Sequence, residues 1–368
     1  MEEIQQQEVT NRDVYKHYLS SIFIYGLILL IITFCPGLTE SIEHEFCNYI
    51  IFFIAYYVLY IILALPIFLW LKPKSILQSR TVKIIDYFKR WFKKTETTQE
   101  WLKNIEPDEN EKQAFAILFI KAFFGVTCVN ILCNKYILSL DYNFHFLMEM
   151  FSQAVQYGTT NGASFGFMQY IDDTADMWRQ LCVMVITLVL AVSYLTEFNF
   201  LKNKIKWADT TPLGIISCIM CYAPFVYLSN KLIPVYDNQT ITVDNFTLRI
   251  VLNILVVLAH FGMMLAVLRL GTKSGNLTNR GIVTGFPYNI VRHPEYAMQM
   301  LYIICATIPV MVMENIHPLG KLVILSGSFI WILVYYFRAI TEERNLIKDP
   351  AYQEYTQKVK HRFIPKLL

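Results

Sequence analysis

The chain has 368 residues, 55% of them hydrophobic and only 17% charged, with a formal net charge of +3. Soluble domains carry about 25% charged residues, and here long uncharged runs alternate with short charged stretches. That pattern excludes an ordinary soluble globule, and the small net charge gives no electrostatic basis for a nucleic-acid partner.

Taken in chain order, the sequence predicts about eight apolar spans, each near the roughly 20 residues that a helix needs to cross hydrocarbon. They run over Tyr18–Cys35, Phe46–Leu71, Ala114–Leu138, Met177–Leu195, Pro212–Leu232, Phe246–Leu270, Glu295–Met313 and Leu319–Ile340. Helix is the assignment, because a spanning segment must satisfy its backbone groups internally. The expected fold class is therefore all-α, a polytopic membrane helical bundle. Residues 1–245 form an N-terminal region of five spans, and residues 246–368 a C-terminal membrane module with a cytoplasmic tail. The polar start, Met1 to Arg12, has neither signal-peptide nor transit-peptide character, so the first span is expected to act as its own insertion signal.

Loop charges predict the orientation. Glu40, Glu43 and Glu45 follow the first span, whereas Lys72, Lys74, Arg80, Lys83, Lys89, Arg90, Lys93 and Lys94 follow the second. Acidic residues Asp141, Glu149, Asp172, Asp173 and Asp176 follow the third, and Lys202, Lys204 and Lys206 the fourth. The alternation predicts both termini on the cytoplasmic side. Between the second and third spans, residues 76–93 read as one basic amphipathic helix on the cytoplasmic surface, with Leu77, Ile84, Phe88 and Trp91 apolar. Glu96–Lys112, which contains Pro107, reads as a loose linker, and Tyr142–Asp176, rich in Gly, Thr and Asn near its middle, as an irregular loop or partly inserted hairpin.

The eight cysteines lie mostly within apolar runs. Cys218 and Cys221 form a CxxC without a second pair, which fits apolar packing better than metal or redox chemistry. Cys35 and Cys47 flank one loop and would suit a disulfide in an oxidising compartment. The triplets Asn238-Gln-Thr240 and Asn245-Phe-Thr247 fall in an expected outer loop and carry no weight by themselves.

The chemistry-bearing residues cluster near the C-terminus. Tyr288-Asn-Ile-Val-Arg292-His293-Pro294-Glu-Tyr296 precedes the seventh span, and proline suits the first helical position. That span would open with free backbone N–H groups beside Arg292, a place that favours an anionic group. The eighth span ends in Arg338-Ala-Ile-Thr-Glu342-Glu343, where Arg338 and Glu342 share a helix face. A cationic cluster with an imidazole and a carboxylate cluster would thus meet at one membrane face.

This pattern, with Tyr352-x-x-Tyr355 and Arg362-Phe-Ile-Pro365 after it, resembles the isoprenylcysteine carboxyl methyltransferase and phospholipid methyltransferase superfamily over the last third of the chain. The resemblance implies a membrane enzyme that uses S-adenosyl-L-methionine. Its cofactor residues would be Tyr288, Arg292, His293, Pro294, Tyr296, Glu342 and Glu343, and Arg338 would be the catalytic residue near a membrane lipid or lipidated acceptor, with carboxylate O-methylation favoured. At two places the chain departs from the family pattern, with Phe286 where family members commonly have glycine and Met298 where many do; both are expected to narrow the pocket. The same hairpin resembles that of membrane sterol reductases, which use NADPH, though Arg292-His293-Pro294 and Glu342-Glu343 follow the methyltransferase form. A non-catalytic membrane subunit that retains the hairpin is the remaining alternative.

Overall fold

A computed structural model describes residues 8–34, 48–93, 97–137, 140–234, 243–314 and 316–366. The acidic loop after the first span, Cys35, Cys47 and the triplet at Asn238 lie outside these residues. The fold is all-α: seven described helices are long and apolar enough to cross a membrane, and the one described sheet is a two-residue ladder. The chain divides into two compact units, Met1–Val126 and Thr127–Leu368.

In the first unit, α1 (Asn11–Phe34) begins at a reciprocal cap. Asp13 N donates to Thr10 Oγ1 (3.2 Å), and Thr10 N donates to Asp13 Oδ2 (3.0 Å), which satisfies two orphan donors at once. Helix α1 packs against α2 (Asn48–Leu71) and against α3 (Arg80–Trp91). The expected amphipathic helix is thus a short 3-10 turn, Lys74–Gln78, followed by α3, which buries Thr81, Ile84 and Tyr87. Polar groups fasten it to α1: Lys16 Nζ lies 2.7 Å from Asp86, His17 Nδ1 lies 2.7 Å from Ser79 Oγ, and Ser21 Oγ lies 2.9 Å from Thr81 Oγ1.

The stretch expected to be a loose linker instead contains α4 (Thr98–Ile105), and α5 (Glu109–Ile131) begins just after it. The Tyr87 hydroxyl donates to Ile105 O (2.7 Å) and Arg90 Nη2 to Glu111 (2.8 Å), tertiary bonds that local composition does not reveal. Helix α5 ends earlier than the expected third span and passes into a π-helical turn, Leu132–Ile137.

Of the irregular loop or hairpin expected at Tyr142–Asp176, the structure has a hairpin, and it is helical: α6 (Leu140–Asn161) and α7 (Ala163–Leu195), broken only at Gly162, whose φ is +100°. The glycines around it serve contact between helices rather than turns. A Cβ on Gly166 would come within 2.7 Å of the Gly158 Cα, a close backbone approach that only small residues permit.

The expected fifth span, Pro212–Leu232, is two helices, α8 (Pro212–Ile219) and α9 (Phe225–Leu232). Pro224 removes a backbone donor and disfavours helical geometry at Ala223, and the apolar run breaks there. The broken segment nevertheless lies along the last long helix, α12 (Pro318–Leu346), from Arg344 back to Gly327. At one end Arg344 Nη2 donates to Thr211 Oγ1. Midway, the Arg338 guanidinium lies 5.8 Å from the Tyr222 ring. At the other end Trp331 Nε1 donates to Ile233 O (3.2 Å) and Gly327 faces Pro234 O. Arg344 and Gly327 are about 25 Å apart along the helix axis at 1.5 Å per residue.

A Cβ at Gly327 would collide with the Pro234 carbonyl oxygen, whereas one at Gly320, on the same helix, would meet only Ile316 Cγ2 at 3.3 Å. Gly327→Ala is therefore expected to lower the thermal midpoint of the detergent-solubilised protein, and Gly320→Ala to leave it nearly unchanged. Equal midpoints for the two variants would show that α9 does not seat on α12.

Helix α10 (Phe246–Leu270) packs against α7 and against α11 (Pro294–Val312), and α11 packs against α12. Asn245 caps α10 by accepting from Leu248 N (3.0 Å). Four helices here carry proline at the first position after a capping residue: Thr211-Pro212, His293-Pro294, His317-Pro318 and Asp349-Pro350. The last begins α13 (Pro350–Lys358).

Candidate functional site

The site gathers at the start of α11 and the end of α12. Two backbone bonds tie the tail to it: Arg292 N donates to His361 O and His293 N to Arg362 O, both 2.9 Å. The tail thereby returns across the α11 N-terminus and brings Arg362 to Glu343.

Glu343 is the centre of a cationic cluster. Its Oε1 accepts from Arg292 Nε (2.7 Å) and lies 3.2 Å from His293 Nε2, while its Oε2 accepts from Arg362 Nε (3.0 Å). The side chain is only 14% exposed. Arg292 also donates to Val359 O (3.1 Å) and Lys360 O (2.8 Å). Glu342 faces the other way and is 39% exposed. It accepts from the Tyr296 hydroxyl (2.8 Å) and lies 3.9 Å from His293 Nδ1. The His293 ring stacks on Tyr296 with centroids 5.4 Å apart.

Arg338 lies one turn before Glu342 and is buried. Its guanidinium sits 5.0 Å from the Tyr296 ring, 5.4 Å from Tyr335 and 5.8 Å from Tyr222. Its Nη2 donates to Asn276 Oδ1 (2.9 Å). Each ring face is worth about 0.5–2 kcal/mol to a cation. Glu295 is near enough to feel the charge, yet among the described residues no carboxylate forms an ion pair with it. Asn276 is itself fixed, since its Nδ2 donates to the Tyr222 hydroxyl (2.9 Å) and its N–H to the Tyr194 hydroxyl (2.6 Å).

Behind this lies the ladder of β1 (Trp207–Ala208) with β2 (Thr278–Asn279), antiparallel, with Trp207 opposite Asn279. It is bolted to α13: Lys206 Nζ (2.6 Å) and Asn279 Nδ2 (3.0 Å) both donate to Asp349 Oδ2. Burial works against the Asp349 carboxylate, but these donors and Ala351 N outweigh it and hold its pKa below the ordinary value. Between ladder and α12 is a narrow, partly open cleft lined by Asp209, Cys218, Asn276, Thr278, Tyr296, Arg338, Glu342 and Asn345, among others.

The expected residues Arg292, His293, Tyr296, Glu342 and Glu343 thus fall in one connected group with Pro294 at its helix start, and Arg338 joins it through Tyr296. Tyr288 stands on the flank, in a core with Tyr352 and Tyr355, where its carbonyl accepts from the Tyr355 hydroxyl (2.6 Å). Burial pushes the phenols of Tyr288, Tyr352 and Tyr355 up.

The two departures do not line the cleft. Phe286 is 59% exposed. Met298 packs over Gly262 of α10, where an added Cβ would meet its Cγ and Sδ at 2.8 Å. The small residue sits on the facing helix instead.

Sequence reading missed Tyr222, Asn276, Glu295, Tyr335, Asp209 and Asn345 as contributors, and gave Arg362 no role. Proximity to Pro224 was the available signal for Tyr222, because irregular backbone at membrane depth occurs where it is buried in protein or lines a cavity. Cys218 and Cys221 are free thiols at that break. Among the described residues, no cluster of three or more His, Cys, Asp or Glu could hold a metal ion. The chain matches no family model and no curated protein sequence.

Proposed function

We propose that the protein is an integral membrane methyltransferase that uses S-adenosylmethionine and acts on a lipid-like or prenylated acceptor. The observation that carries this reading is the junction of Arg292-His293 with Glu342-Glu343, beside a cleft whose inner end holds Arg338. The cofactor supplies an activated methyl group on a sulfonium. What remains for the residues is to orient two reactants and exclude water. Glu342, half-exposed and fixed by Tyr296, offers a carboxylate to a cationic or hydroxyl-bearing cofactor.

Arg338 has a charge matched by rings and a neutral acceptor, so it favours an anionic partner. A carboxylate acceptor would fit, held by the Arg338 guanidinium, and it would need no general base because it has no proton to lose on methylation. The loop charges support both termini on the cytoplasmic side, with the broken segment at 212–234 counting as a crossing.

Isothermal titration of the purified protein with S-adenosylhomocysteine tests the reading. Binding is expected, and NADPH is expected not to bind. Glu342→Ala and His293→Ala are expected to weaken binding by about tenfold or more, the loss of one charged hydrogen bond, with melting curves that remain cooperative. No heat with S-adenosylhomocysteine would sink the enzyme reading and favour a non-catalytic subunit; binding of NADPH alone would favour the reductase form.

A further inference from the structure

The cleft has a second polar end, remote from Arg338. Asp209 and Asn345 are each 4% exposed and both line it. Asp209 Oδ1 is occupied, accepting from Thr211 N (2.9 Å) and Thr211 Oγ1 (2.7 Å). Asp209 Oδ2 and Asn345 Oδ1 are buried without any hydrogen-bond partner. The nearest cation to the former is Arg344 Nη2, at 3.7 Å, too far for a hydrogen bond.

A buried acceptor left unmet is costly, and two in one cleft point to a group that meets them on binding. The position is built rather than incidental. Asp209 N donates to Leu277 O (2.7 Å), and Trp207 Nε1 donates to Asn345 O (3.3 Å), so the ladder sets both residues. Gly214 makes room, since a Cβ there would collide with Asp209 Oδ2.

Asp209 Oδ2 only accepts, so the missing group must bring a donor to it, which excludes an anion, and the Asn345 amide can accept a second hydrogen bond beside it. A vicinal diol brings two adjacent hydroxyls, and a carboxylate receiving ribose hydroxyls is established chemistry at nucleotide sites. Along α12, Asn345 lies about 10 Å from Arg338 at 1.5 Å per residue. That separation sets a ribose at the outer end of the cleft apart from the guanidinium at the inner end. We propose that Asp209 and Asn345 receive the ribose diol of the nucleoside cofactor and so fix which end of the cleft it occupies. This rests on the methyl-transfer reading above.

The test is titration of the full chain in nanodiscs with S-adenosylhomocysteine and with its 2′-deoxy and 3′-deoxy analogues. The parent is expected to bind at least one analogue about tenfold more weakly, as loss of a charged hydrogen bond implies. Asp209→Asn, which puts an amide in place of the carboxylate, is expected to bind S-adenosylhomocysteine about as weakly as the parent binds that analogue, and no longer to tell the two apart. Gly214→Ala, which crowds the same oxygen, should do the same. Asn345→Leu should erase discrimination at the other hydroxyl, while Asn345→Asp, which keeps an acceptor, should preserve it. Melting curves confirm that each variant is folded.

Two results would overturn the assignment while the methyl-transfer reading stands. One is a parent that binds S-adenosylhomocysteine but ignores loss of either hydroxyl. The other is an Asp209→Asn variant that still discriminates, which would leave these acceptors to ordered water. A parent that binds no S-adenosylhomocysteine would remove both readings together.

Discussion

Glu343→Ala is expected to destabilise the protein by about 3–5 kcal/mol, the cost of stripping the partner from a buried charge cluster. Arg292, His293 and Arg362 converge on this one carboxylate, and without it two guanidiniums would face each other in a partly buried space. The tail should then release, because Arg292 also holds the Val359 and Lys360 carbonyls. Limited proteolysis within residues 359–366 should become fast, and the thermal midpoint should fall well below that of Glu342→Ala. Glu343→Gln keeps an acceptor and should fall between the two. The neighbouring glutamates are thereby assigned different work: Glu343 fastens the tail, and Glu342 faces the cleft. Equal melting of Glu342→Ala and Glu343→Ala would refute the division.

Arg338→Lys is expected to lose turnover by roughly thirtyfold, about 2 kcal/mol, while retaining affinity for S-adenosylhomocysteine. Three tyrosine rings and Asn276 hold the guanidinium flat, and a planar fork pairs a carboxylate through two bonds that a single ammonium reproduces poorly. An S-prenylated N-acetylcysteine serves as the carboxylate probe, and phosphatidylethanolamine in nanodiscs as the amine probe. Loss confined to the first supports carboxylate methylation. Equal turnover of the lysine variant and the parent on both would remove Arg338 from the reaction and leave it as a packing element.

The membrane character and the paired clusters were legible because they depend on local pattern. Runs of apolar residues give spans, His293-Pro294 gives a helix start, and the spacing of Arg338 and Glu342 gives a shared face. Less was legible where one composition serves two purposes. The glycines at 158, 162 and 166 read as turns, yet 158 and 166 allow two helices to touch and only 162 breaks the chain. Apolar content hid the interruption at Pro224, though its missing donor was there to be read. Asp209, Asn276 and Asn345 stayed invisible for a different reason. Nothing local distinguishes them, and they become a site only when the ladder of Trp207 with Asn279 draws distant segments over the end of α12.

The contact of Met298 with Gly262 makes these two positions a single coupled choice. A side chain at 262 cannot be added while methionine stays at 298, and glycine at 298 alone would leave a void where the thioether now packs. The interface between α10 and α11 needs one large and one small residue, and its combined volume does not depend on which helix supplies which. Drift between the two arrangements must therefore pass through a crowded or a hollow intermediate, so a motif that examines position 298 alone scores as a defect what the opposite helix has already balanced.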